Sequence, residues 1–157
     1  MEQSSKSIKI INPQEKIQLI YCFIAFMAFI GGVLIYVFFR DTGNLVFFKI
    51  FPKPSFLELL SAPVKPDTLL GYLFVYNLPH GLWCLSGLLV IRVIWLTNFK
   101  WRIIYGCIFL VVISALEISQ LSAKRNGVFD VFDLASYGFF AFVESLAYNK
   151  FIRRRIL

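Results

Sequence analysis

The sequence predicts an all-α fold, a polytopic transmembrane helical bundle of four spans with an interfacial loop or short helix at its outer face. Three observations predict it: 59% of the 157 residues are hydrophobic, only 16% are charged, and the mean hydropathy is +0.73. Soluble domains carry roughly a quarter charged residues and about 45–50% apolar ones, so this composition favours a chain embedded in lipid. The aromatic share of 18% disfavours disorder and suits helices that end at a membrane interface.

Each predicted span is an apolar stretch close to the length of about 20 residues that a membrane-crossing helix needs. The second span is expected to begin beside Pro79, because proline removes a backbone hydrogen bond from a continuous helix. Asn77 would then act as its N-cap, and residues 69–76 would form an interfacial or re-entrant piece. The four spans are expected at about residues 17–39, 79–96, 101–121 and 130–148.

The segments outside the spans are predicted to lie at the membrane surface or beyond it. Prolines and short apolar patches make the segment 41–78 an interfacial loop, in which residues 55–58 match a capping box that would open a short helix. Loop 41–67 is either a lid, a connector or a surface that recruits a protein partner. The spans form a single transmembrane domain, 17–148, between a polar segment, 1–16, and a basic tail, 149–157.

The basic residues predict the orientation of the chain. Nine Lys and Arg residues flank one side of the four spans, six flank the other, and Arg92 lies within a span. By the positive-inside rule, both termini are expected in the cytoplasm and the protein in the cytoplasmic membrane. The net charge of +7 is explained by contact with anionic lipid headgroups, so membrane lipids are expected partners and nucleic acid is not.

In this topology the unusual polar residues of the chain meet at the outer face of the bundle. Glu117 is the candidate with the least local stabilisation, because it lies near the C-terminus of its helix, where the helix dipole opposes a carboxylate. Ionisable groups at such depth usually face the bundle interior and find partners, so Arg125 or His80 is the expected counter-group. The candidate ligand-binding residues are His80, Glu117, Gln120, Arg125, Asp130 and Asp133.

Each of these candidates also has a structural interpretation. Asp130 and Asp133 at a helix N-terminus complement the dipole and cap free N–H groups. Arg125 can extend to lipid phosphates, and His80 can be a packed first-turn residue. The sequence leaves both interpretations open.

A second polar pair, Arg92 and Glu144, is expected to form a structural ion pair, because the two residues lie at similar depth in the inner halves of their spans. The three cysteines, Cys22, Cys84 and Cys107, all lie in apolar runs, so no disulfide is expected. No cofactor or metal site is predicted, and no catalytic residue is assigned.

The motif Glu117-x-x-Gln120, then Arg125, then Asp130-x-x-Asp133 resembles the VanZ-like family of small multi-pass membrane proteins. The resemblance covers residues 116–138 and extends weakly back to the Asn-Leu-Pro-His run at 77–80. Where the family commonly has Asn and Gly after the second Asp, this chain has Tyr137 and Phe140. The resemblance implies a multi-helical membrane fold and a link to glycopeptide-antibiotic tolerance or to cell-envelope biology.

Three functions remain open from the sequence. The first is a binding or accessory protein whose outer-leaflet polar pocket receives a lipid-linked or cell-envelope headgroup, with Arg125 on its phosphate or carboxylate. The second is a membrane-embedded hydrolase or phosphotransferase, in which the carboxylates and His80 would bind a divalent cation and activate water. The third is a structural or assembly subunit of a membrane complex, in which the polar cluster only locks helices together.

Overall fold

The computed structural model describes residues 12–40, 64–121 and 129–151, and within these ranges the secondary structure is helical, which confirms the all-α prediction. The helices are α1, Pro13–Phe39; α2, Leu69–Ile94; α3, Phe99–Ile118, which continues as a 3₁₀ turn, Ser119–Leu121; and α4, Val131–Phe151. Three of these helices, α1, α2 and α3, are long and apolar enough to cross a membrane. The expected short helix at 55–58, the side chain of Arg125 and both chain ends lie outside the described residues.

The four helices begin where a short polar side chain can accept a hydrogen bond from the first turn. Asn12 accepts from the Gln14 N–H at 3.1 Å before α1, and Thr68 accepts from the Gly71 N–H at 3.1 Å before α2. The side chains of Asn98 and Asp130 do the same for α3 and α4, at 3.3 and 2.9 Å. Such caps satisfy N–H groups that have no partner within the helix, so they fix the starts of the helices locally.

Helix α2 continues through Pro79, where the sequence predicts a break between an interfacial piece and the second span. Residues Leu73–Asn77 form a π-helical turn, in which the Leu78 N–H bonds to the carbonyl of Leu73, five residues earlier. The wider turn accommodates a proline that offers no N–H, which is how membrane helices tolerate proline. Asn77 makes no side-chain cap here, because it lies inside the helix with φ −103° and ψ −33°.

Helix α2 is the centre of the bundle and contacts the other three helices. The end of α1 lies beside the start of α2, where the rings of Phe39 and Phe74 are 5.9 Å apart. A short turn at residues 95–98 reverses the chain into α3. Helices α2 and α4 run in the same direction, because Asn77 contacts Asp130 at the start of α4 and, further along both helices, Arg92 contacts Glu144.

Helices α1 and α2 approach closely on one side of the bundle. Tyr21 and Ala25 of α1 pack with Leu89 and Leu96 to form a buried apolar cluster. A Cβ atom at Gly32 would lie 2.6 Å from the Trp83 indole nitrogen, so a larger residue here would have to displace that ring. Small residues permit such close approach between membrane helices. The opposite face of α1 exposes large apolar side chains, as a lipid-facing surface does.

Candidate functional site

Three carboxylates, those of Glu117, Asp130 and Asp133, lie together at the end of the bundle where α2 and α4 begin and α3 ends. We call them, with their partners Tyr72, Asn77, His80 and Gln120, the carboxylate cluster. Glu117, Asp133 and Asn77 are buried, with exposed fractions of 5%, 4% and 2%. Tyr72 is exposed, and His80, Gln120 and Asp130 are partly exposed. The cluster therefore has a buried floor and an accessible rim.

Asn77 joins the two aspartates of the cluster. Its side-chain amide donates to Asp130 at 3.0 Å and to Asp133 at 2.8 Å. The amide thus places two like charges of α4 against α2 and supplies donors that offset part of their burial. The Asn77 Oδ1 atom is buried and has no hydrogen-bond partner among the described residues.

His80 lies one turn further along α2 and contacts Asp133 rather than Glu117. Its Nδ1 atom is 2.7 Å from Oδ1 of Asp133, an ion-pair distance, although the contact lacks hydrogen-bond geometry. The imidazole also packs against the Trp83 ring, with centroids 5.6 Å apart. His80 thus approaches Asp133 from the half-buried edge of the cluster, and the contact is attractive when the ring is protonated.

Asp130 has a double role, because it caps α4 and also belongs to the cluster. The Tyr72 hydroxyl donates to its carboxylate at 2.9 Å, in addition to the Asn77 amide and the Phe132 N–H. Burial raises the pKa of Asp130, but these hydrogen bonds outweigh burial and hold the pKa below its usual value. The Asp130 carboxylate is therefore ionised at neutral pH and is the most accessible of the three acids.

Glu117 connects α3 to the start of α4. Its two carboxylate oxygens accept from the Gln120 side-chain amide at 2.9 Å and from the Asp130 backbone N–H at 3.4 Å. Neither partner is a cation, and no ion pair to Glu117 occurs within residues 12–40, 64–121 and 129–151. The expected counter-group Arg125 lies outside these ranges, and the alternative, His80, contacts Asp133 instead.

An apolar cavity adjoins the carboxylate cluster between α2 and α4. Its volume is about 440 Å³. Asn77 and Ser136 are the two polar residues of its wall, and Asn77 is also the centre of the cluster. The remaining lining residues are Leu73, Phe74, Leu78, Phe132, Ala135, Phe139 and Phe140. The apolar wall of the cavity thus adjoins a group of hydrogen-bonding side chains at Asn77.

The second polar pair lies at the other end of the bundle. The side chains of Arg92 and Glu144 are each 8% exposed. Arg92 donates hydrogen bonds to the two carboxylate oxygens of Glu144 through Nε and Nη2. The Arg92 guanidinium also lies 4.0 Å from the ring centroid of Tyr148. The structure therefore places this pair as a bidentate ion pair between α2 and α4.

The structure brings together five of the six candidate ligand-binding residues that the sequence indicates. The sixth, Arg125, lies outside the residues that the structure describes. Sequence reasoning missed Tyr72 and Asn77, which it assigned to an interfacial segment and to a helix cap. Asn77 precedes His80 by three residues, so a continuous helix would have placed both on one face. The break expected at Pro79 concealed that signal.

Among the described residues, no group of three or more His, Cys, Asp or Glu side chains has an arrangement that could hold a metal ion. The cluster holds three carboxylates and one imidazole, and each carboxylate can accept hydrogen bonds beyond those from Tyr72, Asn77 and Gln120, so its exposed part is suited to bind hydroxyl and amine groups. No protein family, curated protein or solved structure matches this chain.

Proposed function

We propose that this chain is a four-span protein of the cytoplasmic membrane, with both termini in the cytoplasm, that binds the headgroup of a lipid-linked cell-envelope molecule. Helix α4 would be the fourth span, since its 21 residues extend about 31 Å, enough for the hydrocarbon core. Its two buried carboxylates, Asp133 and Glu144, turn toward α2 and away from lipid. Ionisable groups within a span usually face the bundle in this way.

The observation that carries the proposal is the contact between the apolar cavity and the carboxylate cluster at Asn77. A lipid-linked molecule has an apolar chain joined to a polar headgroup, and this site offers a surface for each. The cavity volume of about 440 Å³ lies within the usual range for small-molecule sites, roughly 300–1,000 Å³. The chain of the ligand would occupy the cavity, and its headgroup would lie against the accessible rim.

The charge of the cluster favours a headgroup that carries hydroxyl or amine donors. Asp130 and Gln120 are partly exposed, and the carboxylate of Asp130 can accept hydrogen bonds from a sugar or an amino group, while the amide of Gln120 can both accept and donate them. Arg125, in the loop between α3 and α4, would contact a phosphate that links the chain to this headgroup. The resemblance to the VanZ-like family, and through it the link to the cell envelope and to glycopeptide tolerance, is part of this proposal.

Photolabelling tests the proposal with a polyprenyl-phosphate sugar that carries a diazirine in its chain. Ala135→Trp fills the cavity, and Asp130→Asn removes a charge from the accessible rim, so each is expected to reduce labelling of α2 and α4 about tenfold, the equivalent of about 1.4 kcal/mol. Ala147→Trp and Asp67→Asn are the matched controls, because they make the same substitutions at exposed positions outside the cavity and the carboxylate cluster. Both controls should label like the unchanged protein.

Three other outcomes would redirect the interpretation. Equal labelling of all variants would contradict ligand binding and would favour an assembly role for the cluster. Release of the sugar or phosphate by the unchanged protein, lost in Glu117→Gln, would favour the hydrolase or phosphotransferase. Arg125→Cys in a background without the native cysteines tests the orientation of the chain. A membrane-impermeant maleimide should label this cysteine from outside the cell. Labelling from the cytoplasmic side alone would overturn the proposed topology.

A further inference from the structure

A second cavity lies at the opposite end of the bundle, between α2, α3 and α4. Its volume is about 180 Å³, and three charged residues line it, one from each helix: Arg92, Arg102 and Glu144. Arg102 has an exposed fraction of only 7%. This site does not share a residue with the carboxylate cluster and does not depend on the function proposed for it.

The charges that line this cavity do not balance. Both oxygens of Glu144 are occupied by Arg92, through Nε and Nη2. The side chain of Arg102 has no hydrogen bond or ion pair to any described residue, and the Nη1 atom of Arg92 is buried without a hydrogen-bond partner among them. One buried positive charge therefore remains without a counter-charge in the described part of the chain. Burial of an unpaired ion is costly, so an anion would stabilise the site.

The aromatic contacts of the two guanidinium groups do not replace such an anion. Arg92 and Arg102 lie 4.0 and 4.1 Å from the centroid of the same ring, that of Tyr148. A ring face attracts cations but accepts few of the five N–H groups that each guanidinium offers. Two cations on one ring also repel each other. The arrangement holds the guanidinium groups in place and leaves the donors of Arg102 and the Nη1 atom of Arg92 available.

We infer that this cavity binds a phosphate group, that of an anionic phospholipid in the adjacent leaflet. Arginine is suited to this ligand, because its planar fork donates two parallel hydrogen bonds to phosphate oxygens. The volume is below the roughly 300 Å³ of typical small-molecule pockets, which fits a small headgroup. Basic pockets between membrane helices are known binding sites for anionic lipid headgroups on the cytoplasmic side.

The location of the cavity fits a lipid source for this phosphate. Arg102 lies in the first turn of α3, and Arg92 in the last turn of α2, so both are near the depth of lipid phosphates. Ile103, Cys107 and Ser145 line the cavity and are exposed on the bundle surface. A phospholipid can therefore reach the guanidinium groups from the bilayer while its acyl chains remain in the lipid.

Native mass spectrometry of the full-length protein tests the inference in an equal mixture of phosphatidylglycerol and phosphatidylcholine. We expect one phosphatidylglycerol to be retained selectively, and Arg102→Gln to lower its occupancy about tenfold, which corresponds to about 1.4 kcal/mol. Lys100→Gln is the matched control, because it removes the same charge two residues away at an exposed position. Equal retention by the unchanged protein and Arg102→Gln, or an equal loss in Lys100→Gln, would overturn the inference.

A second measurement uses the unchanged protein and so does not depend on how a variant folds. Cys107 is exposed at the cavity, and Cys22 is exposed on α1, outside it. Added phosphatidylglycerol should slow alkylation of Cys107 several-fold and leave Cys22 unchanged, whereas equal rates with and without the lipid would contradict the site. Displacement of the lipid by millimolar inorganic phosphate would support the phosphate site and assign it to a soluble ligand.

Discussion

The ion pair of Arg92 and Glu144 should respond unequally to the loss of its two members. Glu144→Leu leaves two buried guanidinium groups around Tyr148 with no carboxylate beside them in the described part of the chain. Arg92→Leu instead leaves Glu144 beside Arg102, which lines the same cavity and can take over as its partner. We therefore expect the glutamate to be the more costly residue to remove.

The expected magnitudes follow from the burial of the pair, whose two side chains are each 8% exposed. Removal of one member of a buried pair costs about 3–5 kcal/mol, which we expect for Glu144→Leu. The remaining contact with Arg102 should limit the loss in Arg92→Leu to about 1–3 kcal/mol. The double Leu variant should lie within about 1 kcal/mol of the unchanged protein, because apolar replacement of both members of a buried pair is often neutral or stabilising.

The assay is equilibrium unfolding in mixed micelles, followed by the helical circular dichroism signal, with all four proteins in the same lipid and detergent. Glu15→Leu is a suitable control, because this glutamate is exposed in the first turn of α1 and should change the free energy of unfolding by at most about 1 kcal/mol. Equal losses in the two single variants, or a double variant as unstable as their sum, would refute the reasoning.

Substitutions at four further positions test the packing of α2 and α4 in the same unfolding assay. Asn77→Leu removes the amide that joins two carboxylates and should cost about 1–3 kcal/mol; an unchanged stability would show that other groups satisfy those acids. Gly81→Ala would put a Cβ 2.4 Å from the Phe140 ring and should cost about 1–3 kcal/mol. Gly138→Ala has no atom within 4 Å of the new Cβ and should stabilise the protein by about 0.5–1 kcal/mol. The reverse order of the two stabilities would contradict the packing. Asp130→Ala removes the α4 cap and should cost about 0.5–2 kcal/mol more than Asp130→Asn, and equal losses would deny the cap any role.

The helical class was predictable because long apolar stretches leave few alternatives in lipid. The meeting of Glu117, Asp130 and Asp133 was also predictable, because it requires only that α3 end and α4 begin at the same face. These predictions depend on where chain segments lie along the membrane normal. Hydropathy reports that coordinate directly.

The contacts that depend on the path of the backbone were not predictable in the same way. Proline at position 79 indicates a break by its local chemistry, yet a π-helical turn carries α2 past it and brings Asn77 and Tyr72 to the cluster. Arg102 counts as an interfacial charge in the sequence, whereas the structure buries it against Phe99 and Tyr148. Lateral packing decides both, and hydropathy carries no information about it.

Two polar contacts determine how α2 and α4 are aligned along their axes. His80 meets Asp133 and, twelve residues later on α2, Arg92 meets Glu144, which is eleven residues beyond Asp133 on α4. At about 1.5 Å per residue these separations are about 18 and 17 Å, so both contacts form only when the parallel helices keep one alignment. Apolar surfaces give little preference for one alignment within lipid, because lipid chains solvate them equally well. A shift of one helical turn would leave buried charges unpaired at both ends, and the polar residues of these helices therefore select the packing that forms the carboxylate cluster and the arginine-lined cavity together.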